Sequence, residues 1–201
     1  MDTTLEVAVR NFTQVARDLG LENFFQPFDR NTLKTIQQQI ALPDFMIEWY
    51  VVAAPKNFEV PSFGNCPILL SPEQLPNALL GYNFNPVTNE RISSWNDTWI
   101  VFGGEGRYPL IVRTADTLDT DIYYGEVKKR TWQLVSLSSN LEGFLLGLSD
   151  YLKLYFEYNS VICNDDGVLL QSFQNNFTKA LNARTSTAGR SQIWLNGWLG
   201  L

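Results

Sequence analysis

The segment WIVFGGEGRYPLIV at 99–112 constrains the chain most. Two runs rich in β-branched and aromatic residues flank a glycine-rich tetrapeptide, so the spacing predicts two strands joined by a turn at 103–106. A ribbon of this kind is marginal alone and needs further strands or a helix against one face. The rest of the chain offers both. Short apolar runs at 68–70, 122–124 and 131–135 read as more strands. Helical patterns stand before and after them, and that order points to an α+β fold, with helices packed around a mixed or antiparallel central sheet.

The helical patterns carry their own punctuation. Thr3 and Glu6 make a capping box, in which hydroxyl and carboxylate each satisfy an orphan backbone N–H. Leu5, Val9, Phe12, Ala16 and Leu19 then form one apolar stripe and Gly20 closes a helix over 3–19. Residues 22–30 read as a loop anchored by Phe24, Phe25 and Phe28. Asn31 and Thr32 open a second helix carrying Leu33, Ile36 and Ile40. Pro43 takes the first position of a third, with Phe45, Trp49 and Val52 on one face, and Pro55 stops it. A turn follows at 60–64. Ser71, Pro72 and Gln74 give another capped start, and 81–98 is a polar, Asn-rich connection.

Ser139 and Glu142 form a third capping box, ahead of a long helix with Leu141, Phe144, Leu145, Leu148, Leu152 and Tyr155 on one face. Asn164 to Gly167 read as a turn, and Phe173, Phe177 and Leu181 as one more helical face. Ile193, Trp194 and Trp198 suggest an amphipathic tail. The expected organisation is a main domain over 1–158 and a helical C-terminal appendage over 159–201, docked on it through its Trp residues.

Composition narrows the chemistry. The 201 residues include no His. Ser-His-Asp and Cys-His catalysis, His-ligated zinc or haem and an imidazole switch are thereby excluded. Lys and Arg number 15 against 21 Asp and Glu, a net charge of −6 with a pI near 4.7. An acidic chain gains nothing from counterion release on nucleic acid, and its densest basic run is only Lys128, Lys129 and Arg130. No nucleic-acid partner is expected. The charge favours a basic protein partner, although solubility accounts for the same balance.

Cys66 and Cys163 lie far apart without a CxxC spacing, so they read as ordinary thiols. The N-terminal residues carry an early acid and no continuous apolar run, and no window approaches about 18 consecutive apolar residues. Neither a signal peptide nor a membrane span is predicted, and the expected compartment is the cytoplasm. Asn11, Asn96 and Asn176 each begin an N-x-T triplet, which has no meaning without secretion.

Candidate catalytic patterns dissolve on inspection. The glycines at 103–106 lack the GxxxxGK[ST] or GxGxxG context of a phosphate site, and Pro109 with a β-branched run follows them. Asp116, Asp119 and Asp121 fail the calcium-loop pattern, which wants Gly where Asp121 stands and Glu where Val127 stands. A solvated acidic loop accounts for them, and a turn accounts for Asp165 and Asp166. The aromatic residues, 13 Phe, 8 Tyr and 6 Trp, fall mostly at core spacing, which favours packing over a stacking surface.

Ordered landmarks over about half the chain resemble the SUKH superfamily. Leu42, Pro43, Asp44 and Phe45 open a helix ending in Trp49 and Tyr50. Ile68, Leu69 and Leu70 run into the Ser71–Pro72–Glu73 helix start. The 99–112 segment looks like the family's aromatic strand, Gly-rich turn, Pro and apolar strand. Ile122, Tyr123, Tyr124, Trp132 and Val135 look like its later strands, and 139–145 like its closing helix. The family often has Gly-Asp before the Pro, where this chain has Arg107 and Tyr108, so no role of that Asp carries over.

The resemblance implies helices around a mixed sheet, no catalytic residues and a surface that binds other proteins; the residues themselves give no reason to expect a cofactor or a metal. In bacterial members the partner is usually a toxin domain, often a nuclease, neutralised by its immunity protein. A regulatory or scaffold module of the same fold is the alternative, and a carboxylate- or Tyr-dependent enzyme the most distant reading. Glu105, Asp116, Asp119 and Asp121, on or near loops beside the central strands, are the candidate partner-binding residues.

Overall fold

A computed structural model describes residues 4–62, 66–80, 82–85, 87–88, 90–105, 108–117, 119–184 and 186–201, with Glu105 and Asp116 described by their backbone alone. Three helices come first: α1 (Thr4–Asp18), α2 (Arg30–Ile40) and α3 (Asp44–Ala53). Short strands β1 (Phe25–Gln26) and β2 (Ala54–Pro55) pair beside them. Strands β3 (Phe58–Glu59) and β4 (Ile68–Leu69) start the main sheet, and β5 (Phe84–Asn85) and β6 (Glu90–Arg91) form a separate small hairpin. Then follow β7 (Trp99–Glu105), β8 (Tyr108–Arg113), β9 (Ile122–Lys128) and β10 (Thr131–Ser138). Helices α4 (Leu141–Glu157) and α5 (Gln171–Asn182) and a π-helical turn at Ile193–Trp198 complete the chain.

Among the described residues the main sheet has six strands in the order β10-β9-β8-β7-β4-β3, and every neighbouring pair is antiparallel. The fold is α+β, with helices packed around this sheet. Among the described residues no helix is long and apolar enough to cross a membrane.

Local chemistry sets several boundaries differently from the sequence expectation. The strand β7 runs on through Gly103 and Gly104 instead of turning there. A bulge between Val101 and Gly103 shifts the register against β8, and Gly104 adopts φ 110°. A Cβ on Gly104 would lie 2.3 Å from the Tyr108 carbonyl oxygen, so this glycine serves a close strand approach. Gly106, the end of the expected turn, lies outside the described residues, as do Gly64 and the Thr3 half of the first capping box.

Helix α4 is capped by Asn140, not Ser139: its side-chain oxygen accepts from the Gly143 N–H at 2.8 Å. Asp29 does the same for α2, accepting from the Thr32 N–H, which draws the Asp29 pKa below the usual carboxylate value. Pro43 is the cap residue of α3 instead of its first helical position. The buried residues of α3 are Met46, Ile47, Trp49, Tyr50 and Ala53, while Val52 faces solvent. The Ser71 side chain makes no cap bond, and the segment Pro72–Asn77 is a 3₁₀ helix with Pro76 inside it. Phe24 is exposed, and Phe25 is the buried anchor of its loop.

One face of the sheet forms the main core. Ile100, Phe102, Leu110, Val112, Ile122, Tyr124 and Leu137 pack against α4 and the N-terminal helices. The Phe102 and Phe144 rings meet edge to face at 5.9 Å. The C-terminal residues Phe173, Phe177, Leu181, Trp194, Leu195, Trp198 and Leu199 belong to the same buried cluster. The Trp194 indole N–H donates to the Leu137 carbonyl at 3.0 Å, and the Ser62 hydroxyl donates to the Leu199 carbonyl at 2.8 Å. Gly197 lies so close to the sheet that a Cβ there would meet the Tyr124 hydroxyl oxygen at 2.4 Å.

Candidate functional site

The candidate acids divide between two ends of the β7–β8 ribbon. Trp99 pairs with Arg113 at one end and Glu105 with Tyr108 at the other. A seven-residue strand spans roughly 20 Å at about 3.3 Å per residue. Asp116, on the short 3₁₀ turn Ala115–Thr117, shares the Trp99 end with Asp119 and Asp121. Glu105 stands apart from all three.

Asp119 and Asp121 are tied into the fold. Asp119 Oδ2 lies 3.1 Å from Arg113 Nε and accepts from the Tyr123 hydroxyl at 2.8 Å. Asp119 Oδ1 accepts from the Asp121 N–H at 2.9 Å, closing an Asx-type turn. Asp121 Oδ2 accepts from the Ser136 hydroxyl at 3.0 Å. The Arg113 guanidinium sits 5.5 Å over the Tyr123 ring. Burial raises the Tyr123 pKa, and the bond to Asp119 and the nearby carboxylates reinforce the rise against the opposing Arg113 charge. This cluster locks the β8–β9 connection and holds Tyr123 as a neutral donor. Among the described residues no three His, Cys, Asp or Glu side chains gather as a metal site.

A second feature lies on the other face of the sheet, away from the main core. Trp95, Trp99, Val101 and Ile111 form a buried cluster, with Tyr82, Tyr123, Trp132 and Leu134 half-buried around it. Trp95 is the hub. Its ring stacks on Tyr82 at 5.7 Å and meets Trp99 and Trp132 edge to face at 5.1 and 5.4 Å. The Trp95 indole N–H is buried without a hydrogen-bond partner. Sequence reasoning passed over this cluster because Trp95 falls in the polar 81–98 stretch. The available signal was the period-two alternation of Trp99 with Val101 and of Trp132 with Leu134.

A third feature is a groove of about 560 Å³ between α1 and α3, lined by Leu5, Val9, Val51 and Val52 together with the charged Glu6, Arg30 and Glu48. Arg30 and Glu48 bridge its rim through two hydrogen bonds of 3.0 and 3.2 Å. Apolar walls with a paired rim suit a side chain or short helix face better than a charged substrate. The half-buried thiols Cys66 and Cys163 are both free, and burial pushes the Cys163 pKa up, away from thiolate reactivity.

Comparison with protein-family models and with curated proteins finds no match to the chain.

Proposed function

We propose that the chain is a non-enzymatic, SUKH-like protein-binding domain that acts as an immunity protein, neutralising a basic bacterial toxin domain such as a nuclease. The observation that carries the reading is the 99–112 landmark. Its described parts, β7 and β8, pair within an antiparallel sheet, and α4 stands after them in the chain as the resemblance expects. The −6 charge supports the choice of a basic partner, because an acidic inhibitor presents a nuclease cleft with the potential it is built to meet. Of the candidate contacts, Glu105 and Asp116 remain the sharper ones to test, since the Asp119 and Asp121 carboxylates already serve internal bonds.

The test is genetic and then biochemical. Deleting this gene while its neighbouring toxin gene is kept should poison the cell or its siblings. The purified pair should bind, with affinity falling as salt is raised. A locus without a toxin-like neighbour, together with a pull-down that recovers no partner, would sink the proposal. Salt-insensitive binding to a neutral host protein would replace it with a scaffold role.

A further inference from the structure

The two edges of the main sheet differ in length. One ends on β3, with two residues; the other on β10, with eight. The β9–β10 connection is the residue pair Lys129 and Arg130, whose φ values of 51° and 66° match a type I′ hairpin. In such a hairpin Thr131 bonds to Lys128, and the ladder then alternates, so Gln133 and Val135 also direct their main-chain groups at β9. The N–H and C=O groups of Trp132, Leu134 and Ser136 therefore point off the sheet. Among the described residues, none of these three N–H groups has a hydrogen-bond partner.

The free edge is bounded. Beyond a bulge at Ser136–Ser138, the Leu137 carbonyl accepts from Trp194, and the Ser139 N–H donates to the Ser186 carbonyl. The open stretch is thus 131–136, which reads TWQLVS. It holds no charge, Pro or Gly, the devices by which sheet edges usually refuse a neighbour. Trp132, Leu134 and Val135 along it are only half-buried.

The ends of this edge carry opposite charge. Lys129 and Arg130 are exposed at the hairpin tip, with no ion-pair partner among the described residues. At the other end Asp121 is bonded to Ser136 of the edge strand itself, while Asp119 beside it is neutralised by Arg113, so Asp121 supplies the negative charge there. An edge with a basic end, a neutral middle and an acidic end is complementary to itself when turned end over end. That is the arrangement a two-fold axis produces in antiparallel pairing.

We infer that a second copy of this chain docks on β10. Antiparallel β10–β10 pairing about Leu134 would join the two sheets, with Trp132 of each copy opposite Ser136 of the other. The proposal is independent of the toxin-binding role.

Sedimentation or light scattering across a concentration series tests it on the full chain. The expected species is a dimer of the 22.9 kDa chain that dissociates on dilution. Amide exchange should show the Trp132, Leu134 and Ser136 N–H groups protected in the dimer and open in the monomer. Leu134→Pro removes an outward N–H without touching the β9 ladder and should weaken dimerisation about tenfold or more. Should that variant fail to fold, Lys129→Glu with Arg130→Glu lies at the exposed tip and should likewise weaken the dimer. A wild-type chain that stays monomeric at the highest attainable concentration overturns the inference. So does a dimer whose three edge amides stay open, or one unaffected by a folded edge variant.

Discussion

The two faces of the sheet come from the same strands by simple alternation, yet they are covered in different ways. The inner face holds aliphatic residues with Phe102 and Tyr124 beneath helices, and its main residues are sealed from solvent. The outer face holds Trp99, Trp132 and Tyr123 beneath Ala78, Leu79, Tyr82 and Trp95, and only part of its ring surface is closed. Helices supply a continuous apolar stripe and can seal a face. A connection of 3₁₀ turns and two-residue strands supplies single side chains, here Trp95 and Tyr82, and leaves gaps between them. Global stability should therefore reside on the inner face, and local opening on the outer one.

The largest expected effect is on the inner face. Phe144→Ala removes a ring that touches Phe102, Trp194 and Trp198 and should lower unfolding stability by about 3–5 kcal/mol in a urea titration. Trp132→Ala on the outer face removes a half-buried ring and should cost about 2 kcal/mol. It should also raise exchange at amides of 72–98 more than at those of α4. Equal losses for the two variants would break the contrast between the faces.

The smallest effect belongs to Asp150, where α4 meets the chain after α5. Its carboxylate lies 2.5 Å from Arg184 Nη1, yet burial outweighs the attraction of Arg184 and Lys153 and raises its pKa above 3.8. The folded state then binds this proton more readily than the unfolded state. Its contribution is full below the unfolded pKa and is lost as pH rises through the raised folded value. Lowering the pH through that window should shift the Tm gap between wild type and Asp150→Asn in favour of wild type. A shift of opposite sign would mean that the Arg184 pairing dominates.

Residue patterns with a local cause were legible before the structure. The stripe of α1 and the Phe173, Phe177 and Leu181 face of α5 follow from helical period alone. The apolar runs of β7 to β10 follow from β-branched content, although the strands extend further than the runs. Patterns with a tertiary cause were not legible. Residues of α3 are buried on several sides, so periodicity picked Val52 for a face that Met46, Ile47 and Tyr50 occupy. Gly103 and Gly104 serve contacts with β4 and β8 that no single segment reveals. Asp119 looked like a loop acid because Arg113 and Tyr123, which claim it, stand on two different strands.

The docking of Trp194 and Trp198 on Phe144 bears on synthesis. The inner core is shared between α1 and the 193–199 segment, which is made well after it. A nascent chain emerging from the ribosome therefore carries the Phe144 face bare until translation has passed residue 199. The inner core is complete only after that point, so it cannot close on α1 and the sheet alone. Until then the incomplete chain is a client for chaperones and a risk for aggregation.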